Sequence, residues 1–128
     1  MRETFSIKNS GMMAALFLVA LLCVLPGAAL GHAFPDHSDP KVGAILAVSP
    51  DRVRIWFDSD LEPVSATIMV HNKAGALVDN KDGRVDSSDT KLLEVSLPHL
   101  SPGTYSVNWS VVSKEGHRSE GEYTFVIK

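Results

Sequence analysis

The residues best equipped for chemistry in this chain are histidines, and two of them stand in telling positions. His32 lies within Gly31-His32-Ala33-Phe34-Pro35-Asp36-His37, where a secretory signal is expected to end. Cleavage after Gly31 makes His32 the first residue of the mature protein. A free N-terminal histidine is a chelate, because its α-amine and its ring Nδ1 can grip one metal ion together. An internal histidine cannot do this, since its nitrogen is tied up in an amide. The second position is Lys114-Glu115-Gly116-His117. In an extended chain, residues two apart point the same way, so Glu115 and His117 are expected to present a carboxylate and an imidazole side by side. Alone, this Glu-x-His reads as a solvated hairpin loop. Joined to an N-terminal histidine it completes a set of nitrogens from His32 (amine and ring) and His117, with an oxygen from Glu115. Nitrogen-rich sets of this kind suit one tetragonal Cu(II) ion; Zn(II) fits with distorted geometry.

The remaining candidates are weaker. Once the signal leaves, Met69 is the sole methionine, so no methionine-built Cu(I) site is expected. The N-terminal copper motif that needs histidine at the third mature position is absent, because Phe34 stands there. His37 can serve as an extra ligand or as a structural histidine bonding the next turn. Asp36 is an alternative carboxylate. His71 and His99 read as surface residues, and Asp58, Asp60 and Glu62 as a solvated turn. The Asp82, Asp86 and Asp89 group lacks the ligand order and the late glutamate of a calcium loop. No nucleophile elbow, phosphate loop or dinucleotide fingerprint occurs, and a non-enzymatic protein is expected.

The elements that must hold these residues come after residue 31. Residues 1–31 read as a cleaved secretory signal: Arg2 and Lys8 lead an apolar run from Met12 to Leu25, which is short against the roughly 20 residues of a membrane span. Ala29 and Gly31 supply the small residues before the cut. Cleavage after Ala33, which would destroy the chelate, and an uncleaved anchor are the alternatives. The lone cysteine, Cys23, lies inside the apolar run, so the mature chain has no disulfide and folds on core burial. Losing Arg2, Lys8 and Glu3 from twelve basic and fifteen acidic residues leaves ten and fourteen, a formal net charge of −4. A mildly acidic domain without a basic stripe is a poor nucleic-acid binder.

Residues 32–128 show period-two alternation. Val53, Ile55 and Phe57 share one face, as do Ile68 and Val70, then Leu93, Val95 and Leu97, then Tyr105, Val107, Trp109 and Val111, and finally Tyr123, Phe125 and Ile127. Proline, glycine and aspartate turns separate these runs, and residues 79–90 and 114–121 read as polar connections. The pattern predicts an all-β domain: an antiparallel Greek-key sandwich or barrel of about seven strands, with an immunoglobulin-like core.

Taken together, the His32-Ala33 start, Ser38-Asp39-Pro40, Val42-Gly43-Ala44, the Pro50 to Phe57 strand, Leu97-Pro98, Pro102-Gly103-Thr104-Tyr105, Trp109-Ser110-Val111-Val112-Ser113 and Gly116-His117 resemble the CopC family of periplasmic copper-binding proteins. The resemblance covers nearly the whole mature chain. It implies a cupredoxin-like or immunoglobulin-like fold that binds Cu(II) in the periplasm and carries or sequesters it, in some members beside an inner-membrane copper-transport protein. A monomer, with no membrane insertion after cleavage, is expected. Carried over residue by residue, the family's ligands fall on His32 and His117; the family's aspartate two residues before the second histidine is here Glu115, one methylene longer. Two other readings remain: a secreted immunoglobulin-like interaction module without a physiological metal, and a copper oxidase built on a histidine brace.

Overall fold

The computed structural model describes residues 32–128; the signal segment, its cleavage and Cys23 lie outside the described residues. Among the described residues eight strands form: β1 (Pro35–Asp39), β2 (Ile45–Leu46), β3 (Arg52–Phe57), β4 (Thr67–Asn72), β5 (Arg84–Val85), β6 (Leu92–Ser96), β7 (Gly103–Val112) and β8 (Arg118–Ile127). A 3₁₀ turn spans Pro63–Ser65. Among the described residues no helix is long and apolar enough to cross a membrane.

The strands build two four-stranded sheets, ordered β1-β3-β6-β5 and β2-β8-β7-β4, and face each other as an immunoglobulin-like sandwich. The alternating residues meet between them. Val53, Ile55, Leu93, Val95, Val70, Val107, Val111 and Phe125 are at most 1 % exposed, and burying one such large side chain contributes roughly 1.5–3 kcal/mol. Tyr105 stacks on Phe125 with centroids 5.6 Å apart and donates its hydroxyl to Ser101 O at 2.6 Å. This is the tyrosine corner of such sandwiches. Trp109 meets Phe57 edge to face at 5.2 Å.

Four expectations need correction. The first strand is β1, formed by Pro-Asp-His-Ser-Asp, which precedes every alternating run read from the sequence. It has no apolar alternation because only its backbone pairs with β3 while its side chains stay mostly exposed. The short β5 lies inside the connection read as residues 79–90, pinned to β6 by Val85 opposite Leu93. The last strand begins at Arg118, inside the other connection, because Trp109 to Val112 pairs with Arg118 to Gly121. Small and polar inward residues, Ser119 and Gly121, hide that half of the strand from a hydrophobic pattern. Finally, the sheets are not wholly antiparallel, since β2 runs parallel to β8.

Candidate metal centre

At one end of the sandwich three pieces of chain converge: the arm before β1, the segment from Asp58 to Glu62, and the turn between β7 and β8. The arm is fixed by its smallest side chain. Ala33 is fully buried in the core, so the chain on either side is held against the end of the sheets. Its backbone is then clamped by the residues after β3. Phe34 N donates to Asp58 Oδ1 at 2.9 Å, and Asp58 N donates to Phe34 O at 2.9 Å. The Ser59 hydroxyl lies 3.3 Å from both His32 O and Asp58 Oδ1.

The same segment grips the opposite turn. Leu61, fully buried, bridges Ser113. Glu62 N donates to Val112 O at 2.8 Å, and Lys114 N to Asp60 O at 3.1 Å. Lys114 Nζ pairs with Glu62 Oε1 at 3.7 Å. Inside the turn, Ser113 N donates to His117 O at 2.9 Å and Gly116 N to Ser113 O at 2.8 Å. His117 N donates to Ser113 Oγ at 3.3 Å. Gly116 takes φ +90° with open space around it, a backbone that a side chain would strain.

This scaffolding brings the imidazoles of His32 and His117 to a centroid separation of 4.8 Å, tilted by 38°. Phe34 flanks His32 at 5.9 Å. Among the described residues neither ring has a hydrogen-bond partner. A metal–nitrogen bond of about 2.0 Å puts a ring centroid roughly 3.2 Å from the ion, so two imidazoles at 90–110° on one ion sit about 4.5–5.2 Å apart. The observed separation falls inside that window.

Glu115 behaves differently. It is exposed in the turn, and among the described residues no group of three histidine, cysteine or acidic side chains gathers closely enough to hold a metal. The extended-chain rule that set Glu115 beside His117 fails here, because residues 114–116 turn and Gly116 takes the left-handed region. His37 is spent elsewhere: its Nδ1 lies 2.9 Å from Asp36 Oδ2, and its ring stacks on Trp56 at 4.5 Å and 9°. His71 Nδ1 lies 3.2 Å from Asn108 Oδ1 on the sheet face; His99 is exposed. The Asp58–Glu62 turn, read as merely solvated, is the joint of the site. Asp58 and Ser59 escaped the sequence because they act on backbone atoms far away in the chain. Asp82 accepts from Ser96 at the end of β6 and Asp86 from Ser88 in a local turn; these hydrogen bonds hold both carboxyls below the usual range.

The CopC domain model matches residues 36–128. The chain belongs to the CopC family. The matched residues include the His117 turn and begin after the His32 arm. Protein YobA of Escherichia coli K12 is 31 % identical over 98 residues, 76 % of this chain and 79 % of that protein. Among solved structures, CopC from Methylosinus trichosporium OB3b superposes with a TM-score of 0.71 at 29 % identity, covering 76 % of this chain and 94 % of that one. PcoC, described as a methionine-rich copper resistance protein of Escherichia coli, shares the fold with a TM-score of 0.64 at 24 % identity, covering 76 % and 99 %.

Proposed function

We propose that this protein is a copper resistance and homeostasis protein of the periplasm that binds one Cu(II) ion and carries or sequesters it without catalysis. The observation that carries the reading is the His32–His117 pair, two imidazoles with no hydrogen-bond partner among the described residues, at a spacing that suits one ion. Family membership supplies the metal. In this reading the ligands are the His32 amine and ring and the His117 ring. Glu115 is the nearby carboxylate whose exposed side chain swings in to add the oxygen. Export and cleavage after Gly31 belong to the proposal, since only a free His32 amine chelates. The burial of Ala33 favours that cut, because cleavage after Ala33 would delete a core residue together with His32.

An inner-membrane copper-transport protein is the proposed recipient, and a monomer the proposed form. The exposed, acidic setting suits a carrier that must release its ion. A histidine-brace oxidase is the competing use of an N-terminal histidine; release of oxidised sugars from a polysaccharide in the presence of ascorbate would overturn the carrier reading. The direct test is a Cu(II) titration with EPR on two forms of the protein, one starting at His32 and one with a glycine before it. Sharply weaker binding and a changed spectrum in the extended form support the chelate. Equal binding removes His32 as the anchor and leaves an interaction module as the better reading.

A further inference from the structure

The edges of the two sheets are not all protected alike. The outer edge of β4 is occupied: Val78 N donates to Val70 O, Val70 N donates to Asp79 Oδ2, and His71 bridges Leu77. β1 lies between Pro35 and Pro40 and carries Asp36, His37 and Asp39, the prolines and charges that discourage pairing. The first half of β8 carries charges, Arg118, Glu120 and Glu122, but no proline and, among the described residues, no covering chain. Gly43 N donates to Thr124 O, Val126 N to Ala44 O and Lys128 N to Leu46 O, so the even-numbered residues of β8 direct their backbone groups away from β7, toward β2. β8 pairs with β7 in one unbroken register, so the alternation carries back to Glu122, Glu120 and Arg118. β2, however, pairs only with Val126 and Ile127. From Arg118 to Glu122 the edge faces solvent without a proline, a bulge or an inward charge.

Beside this edge, the gap between the sheets opens as a cleft of about 270 Å³, with Pro35, Ser38, Ile55, Trp109, Gly121 and Tyr123 in its walls. Trp109 lies so close over Gly121 that a Cβ there would stand 2.5 Å from its Cζ2; the missing side chain is what seats the indole at the cleft. The rim is acidic. Glu120, Glu122 and Asp36 are exposed, and the two glutamates have no ion-pair partner among the described residues. Arg118 is turned onto Ser110 Oγ at 2.8 Å.

We infer that the open edge of β8, from Arg118 to Glu122, is a docking site for an extended segment of a partner protein in which basic and apolar residues alternate. Its backbone adds a strand to the sheet. Its apolar side chains enter the cleft beside Gly121 and Trp109, and its basic side chains lie along Glu120 and Glu122. A second copy of this chain fits worse: antiparallel pairing about Glu120 sets the two Glu120 side chains opposite each other, and the Arg118 that would face Glu122 is already held on Ser110 Oγ. The docked strand ends beside His117, next to the histidine pair, but the inference stands without any metal there.

Amide exchange followed by NMR tests it on the metal-free protein. Alone, the amides of Arg118, Glu120 and Glu122 exchange fast while those of Ser119 and Gly121 exchange slowly. A synthetic peptide alternating lysine and valine slows the three fast amides about tenfold or more and shifts the Trp109 indole resonance; a glutamate–valine peptide does neither. Glu120→Pro, whose nitrogen already faces outward and so spares the β7 ladder, abolishes the protection. The double variant Glu120→Lys, Glu122→Lys reverses the peptide preference. No protection at millimolar peptide, or equal response to both peptides, overturns the proposal. Protection that rises with protein concentration alone assigns the edge to a second copy and overturns it equally.

Discussion

Two imidazoles on the same short arm meet aromatic partners and come to opposite ends. His37 lies flat on Trp56 at 4.5 Å, which also receives Arg54 at 5.7 Å from its ring centroid, and its Nδ1 is engaged by Asp36 at 2.9 Å. His32 meets His117 at 4.8 Å, and the hydrogen bonds that fix it act on the main chain, Ser59 on its carbonyl and Asp58 on the Phe34 N–H, while the core holds Ala33 between them. The contrast separates a packed histidine from an available one. A side chain that is to take a ligand is best held through its main chain, so that its nitrogens stay uncommitted. The His117 turn obeys the same rule, with Ser113 holding the backbone N and O of His117.

The contrast breaks first if the wrong histidine matters. His117→Ala is expected to weaken Cu(II) binding about 100-fold or more, and His37→Ala less than about threefold, measured by competition titration; tenfold is about 1.4 kcal/mol. Comparable losses from both would dissolve the distinction. The far end of the arm is the next point. Tyr123 donates its hydroxyl to Pro40 O at 2.9 Å, and burial, the main cause, pushes the phenol up to about 12. A phenol raised above its unfolded value of 10 gives stability that is complete below pH 10 and lost as pH rises toward 12. Denaturant unfolding should therefore show a loss on the order of 2 kcal/mol over that window, absent in Tyr123→Phe, with Cu(II) affinity at neutral pH unchanged in the variant.

A smaller effect sharpens the role of the clamp. Asp58→Ala should reduce Cu(II) affinity by about tenfold, the scale of one charge-assisted hydrogen bond, and broaden the EPR spectrum as the arm loosens. An unchanged spectrum would mean that Ala33 alone positions His32. The smallest effect belongs to Glu115→Gln, a change of less than about threefold in affinity. A loss as large as that of His117→Ala would instead make the carboxylate a fixed ligand.

What could be read in the sequence follows from where side chains carry the pattern. β3, β4, β6, β7 and the second half of β8 announce themselves because their alternate residues pack in the core. β1 and the first half of β8 do not, since their order comes from backbone pairing under side chains such as Asp36, Ser38, Ser119 and Gly121. His32 and His117 could be named from position and type, but their meeting needed the fold. Glu115 was set beside His117 by a rule for straight chain, and Gly116 bends that chain. Asp58 and Ser59 left no local signal, because their partners are main-chain atoms of an arm remote in sequence.

The segment from Asp58 to Glu62 grips the arm with one end and the hairpin turn with the other. The histidine pair is thus a cassette: one buried methyl, one connecting loop and one turn, all at the same end of the sandwich. The sheets beneath act as a chassis whose face and far-end residues are free to vary without disturbing the cassette, and the three pieces should be portable together, but not singly, onto another sandwich of the same topology.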